Sequence, residues 1–168
     1  MNHIIVTLAS LGLAALAIPA QAQSRMDKNF VADAMADGMA EIQMGQLAGQ
    51  KGGSDAVKKF GQMLVTDHTK SLDELKPVAS NLGVQPPQAP KPDASAAMAK
   101  LSKLDGAAFD KAFAATAVKD HKKAIALYQK ESKRRGPAAD LARQQLPVLQ
   151  NHYEQARSLQ GQVKSSSR

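Results

Sequence analysis

Apolar residues recur along this chain at intervals of three and four, the spacing that lines one face of a helix. From Asp27 to about Gln50 the recurring set is Phe30, Ala34, Asp37, Glu41, Met44 and Ala48, widened by Val31, Met35 and Ile42. This predicts a first helix, with Asp27 accepting a bond from the free amides of the first turn and Gly52-Gly53 closing the far end in a left-handed conformation. A second helix is expected from Ser54 or Asp55 to about Leu82, on the line Val57, Phe60, Leu64, His68, Leu72 and Leu75. Pro77 lies within it and should kink or end it, because proline removes an amide donor; Gly83 is a further stop. Val84 to Pro92, with four prolines, reads as a stiff extended connection, and Asp93 to Leu104 as a short helix upon it. The third helix spans about Ala107 to Lys133, with Phe109, Phe113, Ala117, Asp120 or His121, Ala124 and Tyr128 inward. Gly136-Pro137 starts the fourth, which runs to about Gly161 with Leu141, Leu149, His152, Ala156 and Leu159 inward and Pro147 as an expected kink. The sum is an all-α four-helix bundle with a long Pro-rich crossover and a short extra helix between helices 2 and 3.

One motif occurs twice. Phe60-x4-Val65-x-Asp67-His68-x-Lys70 recurs with identical spacing as Phe113-x4-Val118-x-Asp120-His121-x-Lys123. Each histidine continues into its apolar stripe, at Leu72 and Leu75 in one copy and at Ile125 and Tyr128 in the other. Each predicted helix thus sets an ionisable side chain on its inner face: Glu41, His68, His121 and His152. Asp67 and Asp120 lie about 100° around the helix from their histidines, at the edge of the stripe. Neutral imidazoles and carboxylates converging from facing helices are what a metal site in a bundle requires. Glu41, His68, His121, His152, Asp67 and Asp120 are the candidate ligands, for a divalent transition metal such as Zn, Fe, Mn or Cu. The competing reading is a structural network that fixes helix register, with Asp67 and Asp120 paired to Lys70 and Lys123. A ferritin-type dimetal centre would need Glu-x-x-His on two helices, and the chain contains none. Seven methionines, including Met35, Met39, Met44, Met63 and Met98, fit flexible core filling better than Cu(I) ligation.

Composition narrows the classes. Ile4 to Ile18 is an apolar run ending in Pro19-Ala20-Gln21-Ala22, a small-x-small cleavage signature. Residues 1–22 are expected to be a signal peptide, 23–162 the bundle and 163–168 a disordered tail, placing the chain in the periplasm. The run is short for a membrane span, and no second one follows. There is no cysteine, which excludes disulfides and thiolate ligands. The net charge of +7 resides entirely beyond residue 22. With export expected, an anionic envelope surface, or plain solubility, is a better reading of that charge than nucleic acid. No phosphate loop, serine-nucleophile motif or dinucleotide fingerprint occurs, and catalysis is not expected.

Larger blocks carry a family likeness. Phe30-Val31-x-x-Ala34, Glu41-Ile42-x-Met44-Gly45-x-Leu47-Ala48 and Val57-Lys58-x-Phe60-Gly61-x-Met63-Leu64-x-x-Asp67-His68 resemble a family of exported bacterial ferritin-like proteins. Leu101-x-x-Leu104-x-Gly106-x-x-Phe109-Asp110, Asp120-His121 and Leu146-Pro147-x-Leu149-x-x-His152 continue it. The family is catalogued as a domain of unknown function and often labelled as outer-membrane proteins. The resemblance implies a ferritin-like bundle in the cell envelope, with characteristic positions matching Glu41, Asp67-His68, Asp120-His121 and His152. It implies no settled activity. An envelope interaction or stress-protection protein with purely structural histidines is the alternative function.

Overall fold

The computed structural model describes residues 20–165. The expected leader lies outside them up to Pro19, as do Ser166, Ser167 and Arg168 of the expected tail. The described residues form α1 (Ala20–Lys51), α2 (Asp55–Leu82), α3 (Pro92–Leu101), α4 (Gly106–Ser132) and α5 (Pro137–Ser165), with no strand among them. α1 packs on α2 and α4 on α5 as two antiparallel hairpins, and the pairs close on each other through α1 against α4 and α2 against α5. The crossover carrying α3 leans on α1 and α4. It returns the chain along the bundle, so α2 and α4 run parallel. This is the expected four-helix bundle with its short additional helix.

Several boundaries differ from the expected ones. α1 begins at Ala20, so Asp27 is no cap. It lies buried inside the helix and accepts a bond from Gln23 Nε2 at 2.6 Å. Gly52 and Gly53 are not left-handed; among the described residues only Gly83, Gly106 and Gly136 have positive φ. What Gly53 provides is proximity, since a Cβ there would stand 2.7 Å from the Gly106 Cα. Pro77 does not end α2, nor Pro147 α5. The cost of an interior proline, about 3 kcal/mol, is outweighed where flanking residues such as Leu75 and Ala79 are buried. α2 stops instead at Gly83, whose φ of 68° admits the left-handed cap. Its start is capped as expected by Ser54, whose side chain accepts from the Val57 amide. α5 continues to Ser165 with Val163 buried, so 163–165 belong to the bundle rather than to a frayed end.

The core is in two parts. One apolar cluster gathers Met44, Val57, Phe60, Leu64, Phe109, Phe113, Ala156 and Leu159 near the start of α2 and α4. The other gathers Phe30, Val31, Met35, Leu75, Tyr128, Leu141 and Leu149 near their ends. Met35 and Met44 fill these cores, as the core-filling reading of the methionines anticipates. Between the clusters, at mid-height, lies a polar layer.

Candidate metal centre

The layer is built by the doubled motif and its counterpart on α5. His68 from α2, His121 from α4 and His152 from α5 are all buried, the last two 1 % exposed. Their ring centroids are 5.7, 5.3 and 5.3 Å apart, and each residue offers a ring nitrogen within 4.8 Å of the other two. Among the described residues no other group of three or more His, Asp or Glu gathers so closely.

Hydrogen bonds assign the tautomers. His121 Nδ1 lies 2.9 Å from the Ala117 carbonyl, which can only accept, so Nδ1 carries the proton. His152 Nε2 donates to Asp67 Oδ2 at 2.9 Å. The remaining nitrogens, His121 Nε2 and His152 Nδ1, face each other at 3.3 Å, each with a lone pair. Two acceptors cannot bond without a cation between them. His68 Nε2 is buried with no partner at all.

Burial keeps two of the rings, His68 and His121, uncharged. It lowers His68 well below the usual imidazole range, with His121 and His152 adding to the effect. It lowers His121 to about 4, with His152 reinforcing the fall and the Ala117 bond opposing it. His121 Nε2 therefore keeps its lone pair at neutral pH.

The carboxylates take different places. Asp67 holds His152 from the side away from the cluster. Glu41 is buried with Oε1 3.8 Å from His121 Nδ1 and Oε2 without a partner. Burial raises its carboxyl well above the usual range, with Asp120 and Asp37 pushing the same way. With His121 lowered as well, this is a contact between neutral groups rather than an ion pair. Asp120 makes no hydrogen bond to the histidines. It borders a cavity of about 80 Å³ with Asp37, Glu41, His68 and His121, roofed by Asp93, Ala94 and Ala97 of the crossover. A second cavity, of about 200 Å³, reaches His68 and His152 from the α2/α5 side, past Asp67, Lys70, Glu74 and Gln145. The expected pairing of Lys123 with Asp120 is replaced by one with Asp93 at 3.5 Å, and Lys91 bridges Asp33 and Asp37 at 3.0 and 2.9 Å. The crossover is thus tied over the first cavity.

Sequence reasoning missed three contributors. Asp110 receives the Gly53 and Ser54 amides at 2.8 and 2.9 Å, joining the α1–α2 turn to α4. It stands in the block Phe109-Asp110, but nothing local reveals its partners. Gln145 joins Ser71, Glu74 and Tyr128 beneath the second cavity. The Ala117 carbonyl, which fixes His121, has no side-chain signal.

A helical bundle with a buried three-imidazole cluster is the class these observations define. The chain belongs to the family described as a domain of unknown function (DUF4142), whose model matches residues 13–159. No curated protein matches it. Among solved structures it is similar to the "putative secreted protein DUF305 from Streptomyces coelicolor", with TM-score 0.71 and 13 % identity over 83 % of this chain and 92 % of that one. It is also similar to a DUF305 fragment from Deinococcus radiodurans, with TM-score 0.73 and 14 % identity over 82 % of this chain and 96 % of that one. At such identities the likeness shows the fold alone.

Proposed function

We propose that this chain is an exported helical-bundle protein that binds one divalent transition metal through His68, His121 and His152. The observation that carries the reading is the pair of lone pairs, His121 Nε2 and His152 Nδ1, held face to face by the bonds of their outer nitrogens. Two nitrogens on one tetrahedral metal with bonds of 2.0–2.1 Å stand about 3.3 Å apart. The two here are at 3.3 Å. His68, with its unpartnered Nε2, is the third ligand, and loading draws it inward. Asp67 and the Ala117 carbonyl then act as the outer partners that ligating histidines require, and Glu41 stands outside the ligand set as a neutral carboxyl beside His121. Asp120 belongs to the approach rather than to the ligand set. Three imidazoles without thiolate suit Zn(II) or Cu(II).

The first 22 residues support export. An apolar run from Ile4 to Ile18 precedes the small-residue sequence Pro19-Ala20-Gln21-Ala22, and the Streptomyces structure bears the description of a secreted protein. No described helix is long and apolar enough to cross a membrane.

The test is elemental analysis and calorimetric titration of untagged protein beginning at Gln23, made without chelator, with Zn(II) and Cu(II). The expected result is one metal per chain, lost in His121→Ala and in His68→Ala. No uptake of either metal by folded protein would leave the histidines as a structural polar layer, with function sought on the surface.

A further inference from the structure

On the outside of α4 the side chains are of one sign. Lys111, Lys119, Lys122 and Lys130, with Lys133 just beyond the helix end, are all exposed. At 100° per residue these five fall within an arc of about 100°, and over 22 residues they form a straight row about 33 Å long. The other exposed residues on that arc are Ala108, Ala115, Ala126 and Gln129. The acids of the same helix, Asp110, Asp120 and Glu131, are turned elsewhere, the first and last buried.

Neighbouring elements do not neutralise the row. Among the described residues none of the five lysines forms an ion pair. The acids on adjoining segments are already engaged: Asp93 with Lys123, Asp105 with Lys51, Asp140 with Arg143 and Glu154 with Arg157. Lining up five like charges costs self-repulsion that scattering them would avoid, and it is offset only by the attraction of Asp120 for Lys119 and of Glu131 for Lys130.

We infer that the outer face of α4 docks on an anionic lipid bilayer surface. A straight, convex row fits a planar array of phosphate headgroups. It offers no apolar side chain larger than alanine, so the protein lies against the headgroups without inserting. It also carries no aromatic ring on which a base could stack, which sets single-stranded nucleic acid aside. Each lysine near such a surface contributes roughly fivefold in affinity, and the attraction decays over about 10 Å at 0.1 M salt.

The experiment is vesicle flotation of protein beginning at Gln23. Vesicles of phosphatidylglycerol and phosphatidylcholine are compared with phosphatidylcholine alone, at low and at elevated salt. Binding is expected only to the anionic vesicles, weakening steeply with salt. Changing Lys111, Lys119, Lys122, Lys130 and Lys133 together to Gln should weaken it more than a hundredfold. A control with Lys58, Lys59, Lys70, Lys103 and Lys164 changed to Gln removes the same charge from other exposed positions and should retain most of the binding. Circular dichroism verifies that both variants fold. Three results would each overturn the inference: no binding of the unaltered protein at low salt, equal weakening in the two variants, or tighter binding to duplex DNA than to the vesicles.

Discussion

His121 and His152 have their protons tied outward, and this decides what their inner nitrogens can do. Removing one tie should therefore be felt at the centre. Asp67 is partly exposed, so Asp67→Ala should fold normally yet bind metal about 10–100-fold more weakly, a loss measurable by competition titration. Acid acts on the same residues. Since the folded chain keeps His68 and His121 neutral, the unfolded chain binds more protons from pH 6.5 down to about 4, and stability falls as pH falls through that window. Glu41 and Glu131 oppose this trend. Burial raises both above the usual value of 4.5, with Asp120 and Asp27 respectively adding to the rise. The folded chain then holds more protons above that value, so these groups favour folding as pH drops towards 4.5. Urea denaturation of metal-free Glu41→Gln/Glu131→Gln should lose stability more steeply than the parent between pH 6.5 and 4.5, by up to about 1.4 kcal/mol per pH unit for each glutamate. All three histidines were legible as members of apolar stripes. The roles of Asp67 and Asp120 were not, because identical motifs meet different neighbours: α2 lies beside α5, while α4 lies beside α1 and the crossover.

Helix ends follow from contacts as much as from caps. Asp110 is the clearest instance: a buried carboxylate on α4 that accepts two amides from the turn between α1 and α2. Truncating it strands both donors, and Asp110→Ala should cost about 2–4 kcal/mol in chemical denaturation. Gly53→Ala should also destabilise, since the added methyl meets the backbone of Gly106 at 2.7 Å rather than a side chain that can swing aside. Four long helices, the proline crossover and the short helix upon it were all readable from periodicity and turn residues. Pro77 and Pro147 misled because the burial that carries a helix through a proline is tertiary and leaves no local mark. Asp27 misled because a good capping residue also serves inside a helix when Gln23 is placed to bond it.

For the whole molecule, metal binding and stability are linked. A ligand that binds only the folded chain adds about 2.7 kcal/mol at a hundred times its dissociation constant. Zn(II) or Cu(II) should therefore raise the melting temperature of the unaltered protein and leave that of His68→Ala where it was, as scanning calorimetry would record. The divided core gives this linkage a spatial form. Every long helix passes through two apolar clusters, and the polar layer between them contributes little cohesion of its own. Without metal, the two ends of the bundle should open as separate units, and amide hydrogens on either side of the layer should exchange at different rates. A metal joined to α2, α4 and α5 at mid-height would bind those openings together, and the exchange rates of the two halves would converge.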